Sequence, residues 1–245
     1  MSTRGSERVR LCALDLDWLR RIIAAPDIYL AERIDPFTTM FSYECSDPYE
    51  GKARAHPYDG YYDLKANPEL IRTHLEDFVG LSDWPAIQTF FSLLKWLNGP
   101  DSMLESNDCA FKPPGENNIP QVNKSLKCSG RVMILYRTLD WNMNKADIEL
   151  LKDGIHYYLR QIDPDFLGGE GDIGITVMNT EYITLPVPPR DQAGFQLMLI
   201  FQAWGDSEEE TMSNLERLFK NLQTALQKVS SDISSDILEA MQSGQ

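Results

Sequence analysis

The chain has 245 residues, of which 42% are hydrophobic and 24% are charged, and such a composition excludes disorder of the whole chain. Its formal net charge of -14 opposes binding to nucleic acid and to anionic membranes, so we expect neither as a partner. The four cysteines are widely spaced and form no CxxC pair, which favours reduced thiols and a cytoplasmic location.

The first 130 residues predict helices and loops that cover a sheet. Residues 36–63 form an aromatic, turn-rich segment. Asn67 and Pro68 predict the start of a helix that ends at Gly80, because proline suits the first helical position. A second helix is expected between Pro85 and Leu97, where apolar residues recur at spacings of three and four.

Residues 131–230 carry the most regular pattern in the chain. The apolar run 131–139 is typical of a central strand, and Asn144 predicts the cap of a following helix that ends near Ile162. Alternating and apolar residues predict strands at 173–177 and 195–204. Ser207 and Glu210 form a capping box, and a long apolar stripe behind them predicts the last helix.

The order of these elements is strand, helix, strand, strand, helix. It predicts an α+β fold, with a ferredoxin-like βαββα unit and an antiparallel sheet that lacks its last strand. The missing edge strand could come from residues 102–111, from residues 181–187, or from a second copy of the chain. We expect one compact domain, 1–245, in which residues 1–130 cover the βαββα core at 131–230.

The segment between Leu104 and Phe111 contains the main candidates for chemistry. Cys109 could act as a nucleophile, which requires a thiolate beside a base or a positive charge. Glu105 and Asp108 could act as acids or bases, which requires burial to adjust the pKa. In a regular strand Glu105 and Cys109 share one side and Asp108 points to the other. The alternative is a set of polar side chains that bond to the backbone at a strand end.

The histidines supply further candidates. His74 falls four residues after Leu70 and four before Phe78, so it could be a half-buried catalytic histidine or a structural one. A polar binding pocket, or equally a surface loop, is expected from a mix of imidazole and phenols at His56, Tyr58, Tyr61 and Tyr62. No HExxH, GxxxxGK[ST] or paired-cysteine motif is present, so we expect no metal and no cofactor.

These patterns favour a soluble acidic protein that acts by binding, either as an oligomer or with a protein partner. The incomplete sheet edge and the long apolar stripe of the last helix are the reasons. The alternative is a cofactor-independent enzyme that acts on a small organic molecule bound between the aromatic segment and the sheet. A third hypothesis is an acidic inhibitor that covers a basic nucleic-acid-binding surface, whose complex would dissociate at high salt.

Overall fold

The computed structural model describes residues 41–43, 64, 67–166, 169–184 and 190–243. The core belongs to a compact unit at Pro36–Ser231, and the chain from Asp232 onward belongs to a second unit. The strands are β1 (Phe41–Tyr43), β2 (Leu104–Glu116), β3 (Leu126–Tyr136), β4 (Gly171–Thr184) and β5 (Arg190–Gly205). Within these described residues the helices are a 3-10 helix (Pro68–Arg72), α1 (Glu76–Val79), α2 (Pro85–Leu97), α3 (Leu139–Asn142), α4 (Lys145–Ile162) and α5 (Glu208–Ser243).

The strands form one antiparallel sheet in the order β1-β4-β5-β3-β2. Four of these strands are long, whereas β1 adds only three residues beside the end of β4. The α+β class expected from the sequence is confirmed. β2 occupies the edge position beside β3. It begins within residues 102–111, the first of the three regions that were proposed for a missing edge strand.

One side of the sheet, called here the helix face, packs against helices through aromatic rings. Phe201 of β5 lies 4.9 Å from Phe219 of α5 and 5.9 Å from Phe90 of α2, measured between ring centroids. Phe111 of β2 stacks on Phe78 of α1 at 5.3 Å. The buried apolar stripe of α5 faces inward here, as its spacing predicted, with members Met212, Leu215, Phe219, Leu222, Leu226 and Val229.

The other side of the sheet, called here the polar face, carries the alternate residues of the same strands. Along β5 these are Gln196, Met198, Ile200, Gln202 and Trp204, which alternate with the buried apolar residues of the helix face. The register with β3 places Met133 beside Met198 and Arg131 beside Ile200.

Capping side chains start the two long helices at the predicted positions. Asn144 accepts a hydrogen bond from the Ala146 amide at 3.1 Å, and Ser207 accepts one from the Glu210 amide at 3.1 Å. The Glu210 carboxylate accepts a hydrogen bond from the amide of Asp206, whereas a regular capping box would use the amide of Ser207. Both caps satisfy amides that the first helical turn leaves without a partner.

The single helix predicted between Pro68 and Gly80 is wrong. The chain forms the 3-10 helix and α1 instead, with a break at Thr73 and His74. Thr73 bonds the Glu69 carbonyl through its hydroxyl at 3.5 Å, and such side-chain bonds compete with helix propagation. None of the helices that the structure describes is both long and apolar enough to cross a membrane.

Candidate functional site

A β-bulge displaces the polar residues of β2. Ser106 pairs with Ile134 and Cys109 with Val132, so Asn107 and Asp108 together oppose the one residue of β3 between them. A bulge of this kind redirects side chains and is common beside functional sites.

The bulge changes which residues share a side of β2. Glu105 and Asp108 both lie on the polar face, because Glu105 pairs with Leu135 and Asp108 bonds Arg131. Cys109 pairs with Val132 and lies on the helix face. The alternation expected for a regular strand, with Glu105 and Cys109 on one side, is therefore wrong.

Two polar pairs cross the polar face. The Arg131 guanidinium donates through Nη2 to Asp108 Oδ2 at 2.7 Å, and these side chains are only 13% and 19% exposed. Asn107 Nδ2 donates to Gln196 Oε1 at 3.1 Å, so the bond reaches from β2 over β3 to β5. Glu105 is 4% exposed and lies on the same face. We call this group of five side chains the polar cluster.

The polar cluster combines several kinds of chemistry in a mostly apolar setting. Two carboxylates and one guanidinium leave it with a formal charge of -1, and two amides add both donors and acceptors. The buried side chains of Met133 and Leu135 lie among these groups on β3. A few convergent polar groups on an apolar background are typical of small-molecule sites.

Cys109 is a poor candidate for a nucleophile in this structure. Burial, and then the nearby Asp108 and Asp77 carboxylates, raise the pKa of the thiol well above its usual value. Because the thiolate is the reactive form, Cys109 is a thiol at neutral pH. Cys128 behaves similarly, since burial raises its pKa to about 12. Both cysteines are free thiols.

The other candidates from the sequence lie away from the polar cluster or outside the described residues. His74 is exposed in the turn before α1, with Nδ1 2.6 Å from the Thr73 hydroxyl. The proposed binding residues His56, Tyr58, Tyr61 and Tyr62 lie outside the residues that the structure describes. Among the described residues no group of three histidines, cysteines or acids could hold a metal ion.

Sequence reasoning missed Arg131 and Gln196 as members of the site. Each left a signal, because each is a polar residue at or near the start of an apolar run that forms a central strand. Buried strand positions rarely carry arginine or glutamine without a partner. Their partners, however, lie on strands that are distant in the sequence.

No protein-family model, no curated protein and no solved structure matches the chain. The sheet and its polar cluster are therefore the basis for a functional proposal.

Proposed function

We propose that the protein acts by binding a small polar organic molecule at the polar cluster. The observation that carries this proposal is the convergence of two carboxylates, a guanidinium and two amides on one face of the sheet, around a bulge. Charges removed from water often cost more than their pairing returns, and apolar replacements are often as stable. A ligand-binding role gives a reason for their presence.

The position of each group indicates how a ligand would lie. Glu105 is the most deeply placed charged group of the cluster, whereas the Arg131–Asp108 pair is partly open to solvent. A ligand would approach from the side of this pair. Its hydroxyl or amine groups would donate to the carboxylates of Glu105 and Asp108, and its carbonyl oxygens would accept from Arg131 and Asn107.

A thermal-shift screen of small polar metabolites tests this proposal. A ligand at one hundred times its Kd stabilises the folded state by about 2.7 kcal/mol, which corresponds to roughly 5–10 °C in Tm for a chain of this size. The shift should be lost in Arg131→Met. It should persist in Arg160→Met, a matched control that removes an exposed arginine from α4. A ligand that stabilises both variants equally would place binding elsewhere.

A cofactor-independent enzyme that acts on such a molecule is the second candidate function. The burial of Glu105 favours it, because a buried carboxylate is suited to acid–base catalysis near neutral pH. Incubation of a bound compound with the protein should then yield a product of altered mass. Wild type that returns every bound compound unchanged supports binding alone, whereas a product that wild type forms and Glu105→Gln does not form supports catalysis at the polar cluster.

We also propose that β2 to β5, with α4 and α5, form a ferredoxin-like unit. The strand order β4-β5-β3-β2 supports this, because it places the two strands that precede helices α4 and α5 side by side in the centre. In this proposal β2 takes the place of the last strand, although it precedes the other three strands of the unit in the sequence.

We propose separately that the protein self-associates or binds a protein partner, and fewer observations support this proposal. The edge beside β3 is filled by β2, and the apolar stripe of α5 is buried against the sheet. Neither feature therefore calls for a second chain. The remaining support is the net charge of -14, which would suit a basic partner. A native mass of twice the 28.0 kDa chain would demonstrate self-association.

A further inference from the structure

The polar face has a second distinctive position at the far end of β5. Trp204 is only 4% exposed. Its indole Nε1 and the side-chain Oε1 of Gln202 are both buried, and within the part of the chain that the structure describes neither atom has a hydrogen-bond partner. Buried polar atoms without partners are rare in folded proteins and call for an explanation.

Gln202 and Trp204 lie on the same face as alternate residues of one strand. Their neighbours Phe201 and Ala203 are fully buried on the helix face, so strand alternation directs both polar side chains to the other side. The two side chains leave the strand about 7 Å apart. Gln196 of the polar cluster lies roughly 20 Å away along the same strand, so this position is separate from that site.

Open space adjoins this pair on β4. Gln202 pairs with Asp172, which is exposed. The next residue of β4 on the same face is Gly174, also exposed, and a Cβ there would meet no atom closer than the Ile200 carbonyl at 4.0 Å. Gln202 therefore borders an exposed stretch of β4.

We propose that Gln202 and Trp204 form a second binding site, which accepts a ligand with an amide group. The indole N–H donates to the amide carbonyl, and Gln202 Oε1 accepts from the amide N–H. A trans amide held between the two hydrogen bonds spans roughly 8 Å. A single bridging water spans at most about 5.6 Å, so the two occupants differ in the separation that they require between the indole nitrogen and the Gln202 oxygen.

The test follows the indole signal of Trp204 by NMR in the full chain labelled with 15N-tryptophan. Trp204→Phe identifies the signal among the five tryptophans. If that variant does not fold, contacts of the indole proton with Lys127, which pairs with Trp204, identify it instead. The probe is N-methylacetamide, and methyl acetate is the matched control, because it offers the same carbonyl without the N–H.

The proposal predicts a saturable shift of the Trp204 signal with N-methylacetamide. The affinity should be at least tenfold weaker for methyl acetate, and at least tenfold weaker for N-methylacetamide in Gln202→Leu. No saturable shift, or an equal response to both probes, would overturn the proposal. So would a persistent contact of the indole proton with water alone, since a bound water would then satisfy the pair.

Two further measurements identify the source of the amide and test whether this site is independent of the polar cluster. Triglycine binding more tightly than N-methylacetamide would indicate a peptide segment, and the reverse order would indicate a small free amide. Glu105→Gln alters the polar cluster and should leave the Trp204 response unchanged. A response that disappears in this variant would contradict a separate site at Gln202 and Trp204.

Discussion

Replacing the ion pair of the polar cluster by apolar side chains should separate function from stability. Arg131→Met removes a charge-assisted hydrogen bond and leaves Asp108, which is 19% exposed, without its guanidinium. Loss of such a bond and incomplete hydration of the remaining carboxylate should together lower the free energy of unfolding by about 2–4 kcal/mol. Asp108→Leu should cost a similar amount, because it leaves the guanidinium largely out of water.

The double variant Asp108→Leu/Arg131→Met removes both charges at once. Neither the carboxylate nor the guanidinium is then left among apolar side chains without the other. The free energy of unfolding of the double variant should therefore lie within about 1 kcal/mol of wild type. Urea unfolding of the four proteins measures the coupling between the two positions. If the double variant loses as much free energy of unfolding as the two single variants together, the reasoning is refuted. Asp108 and Arg131 would then stabilise the sheet through separate contacts rather than serve a site.

Two further predictions concern the sheet and its pH dependence. Gly130→Ala should destabilise the protein by about 1–3 kcal/mol in urea unfolding, because the added Cβ overlaps the ring of Phe201. Gly174→Ala is the control and should be nearly neutral, because a Cβ at that position meets no atom closer than 4.0 Å. Equal losses in both variants would contradict the register of β3 and β5. The Arg217 side chain bonds Asp163 through two nitrogens and holds the pKa of that carboxyl below its ordinary value of 3.8. A lowered pKa in the folded state gives stability that is present above pH 3.8 and is lost as the pH falls through the folded pKa. Arg217→Ala should therefore differ from wild type at pH 7 more than at pH 2, and a difference independent of pH would contradict this role.

The helices show which parts of the fold are encoded locally. Asn144 and Ser207 lie directly before the turns that they cap, so a reading of the sequence alone can find them. The apolar stripe of α5 is similarly local and correctly predicted a buried helix face. Where competing local bonds intervene, as at Thr73, helix periodicity alone predicts one helix and the chain forms two short ones.

The strands and the candidate site depend on partners that are distant in sequence. The strand predicted at 131–139 is displaced in the structure. Residues 132–136 are the buried part of β3, which ends at Tyr136, and β3 begins at Leu126 because its pairing with β5 extends to Gly205. The bulge at Asn107 is a property of the pairing between β2 and β3, and no sequence pattern within β2 predicts it. The bond between Asn107 and Gln196 likewise requires the order β2-β3-β5, which the sequence does not reveal.

The most direct test of a ligand at the polar cluster is the intact mass of the protein purified gently from the cells that produce it. Native mass spectrometry of wild type should show an excess of a few hundred daltons over the 28.0 kDa chain, on the order of a pocket-sized ligand. Glu105→Gln should lose the excess, and Glu209→Gln, which alters an exposed residue of α5, should retain it. A bare wild-type chain, or an excess that survives Glu105→Gln unchanged, would contradict the account.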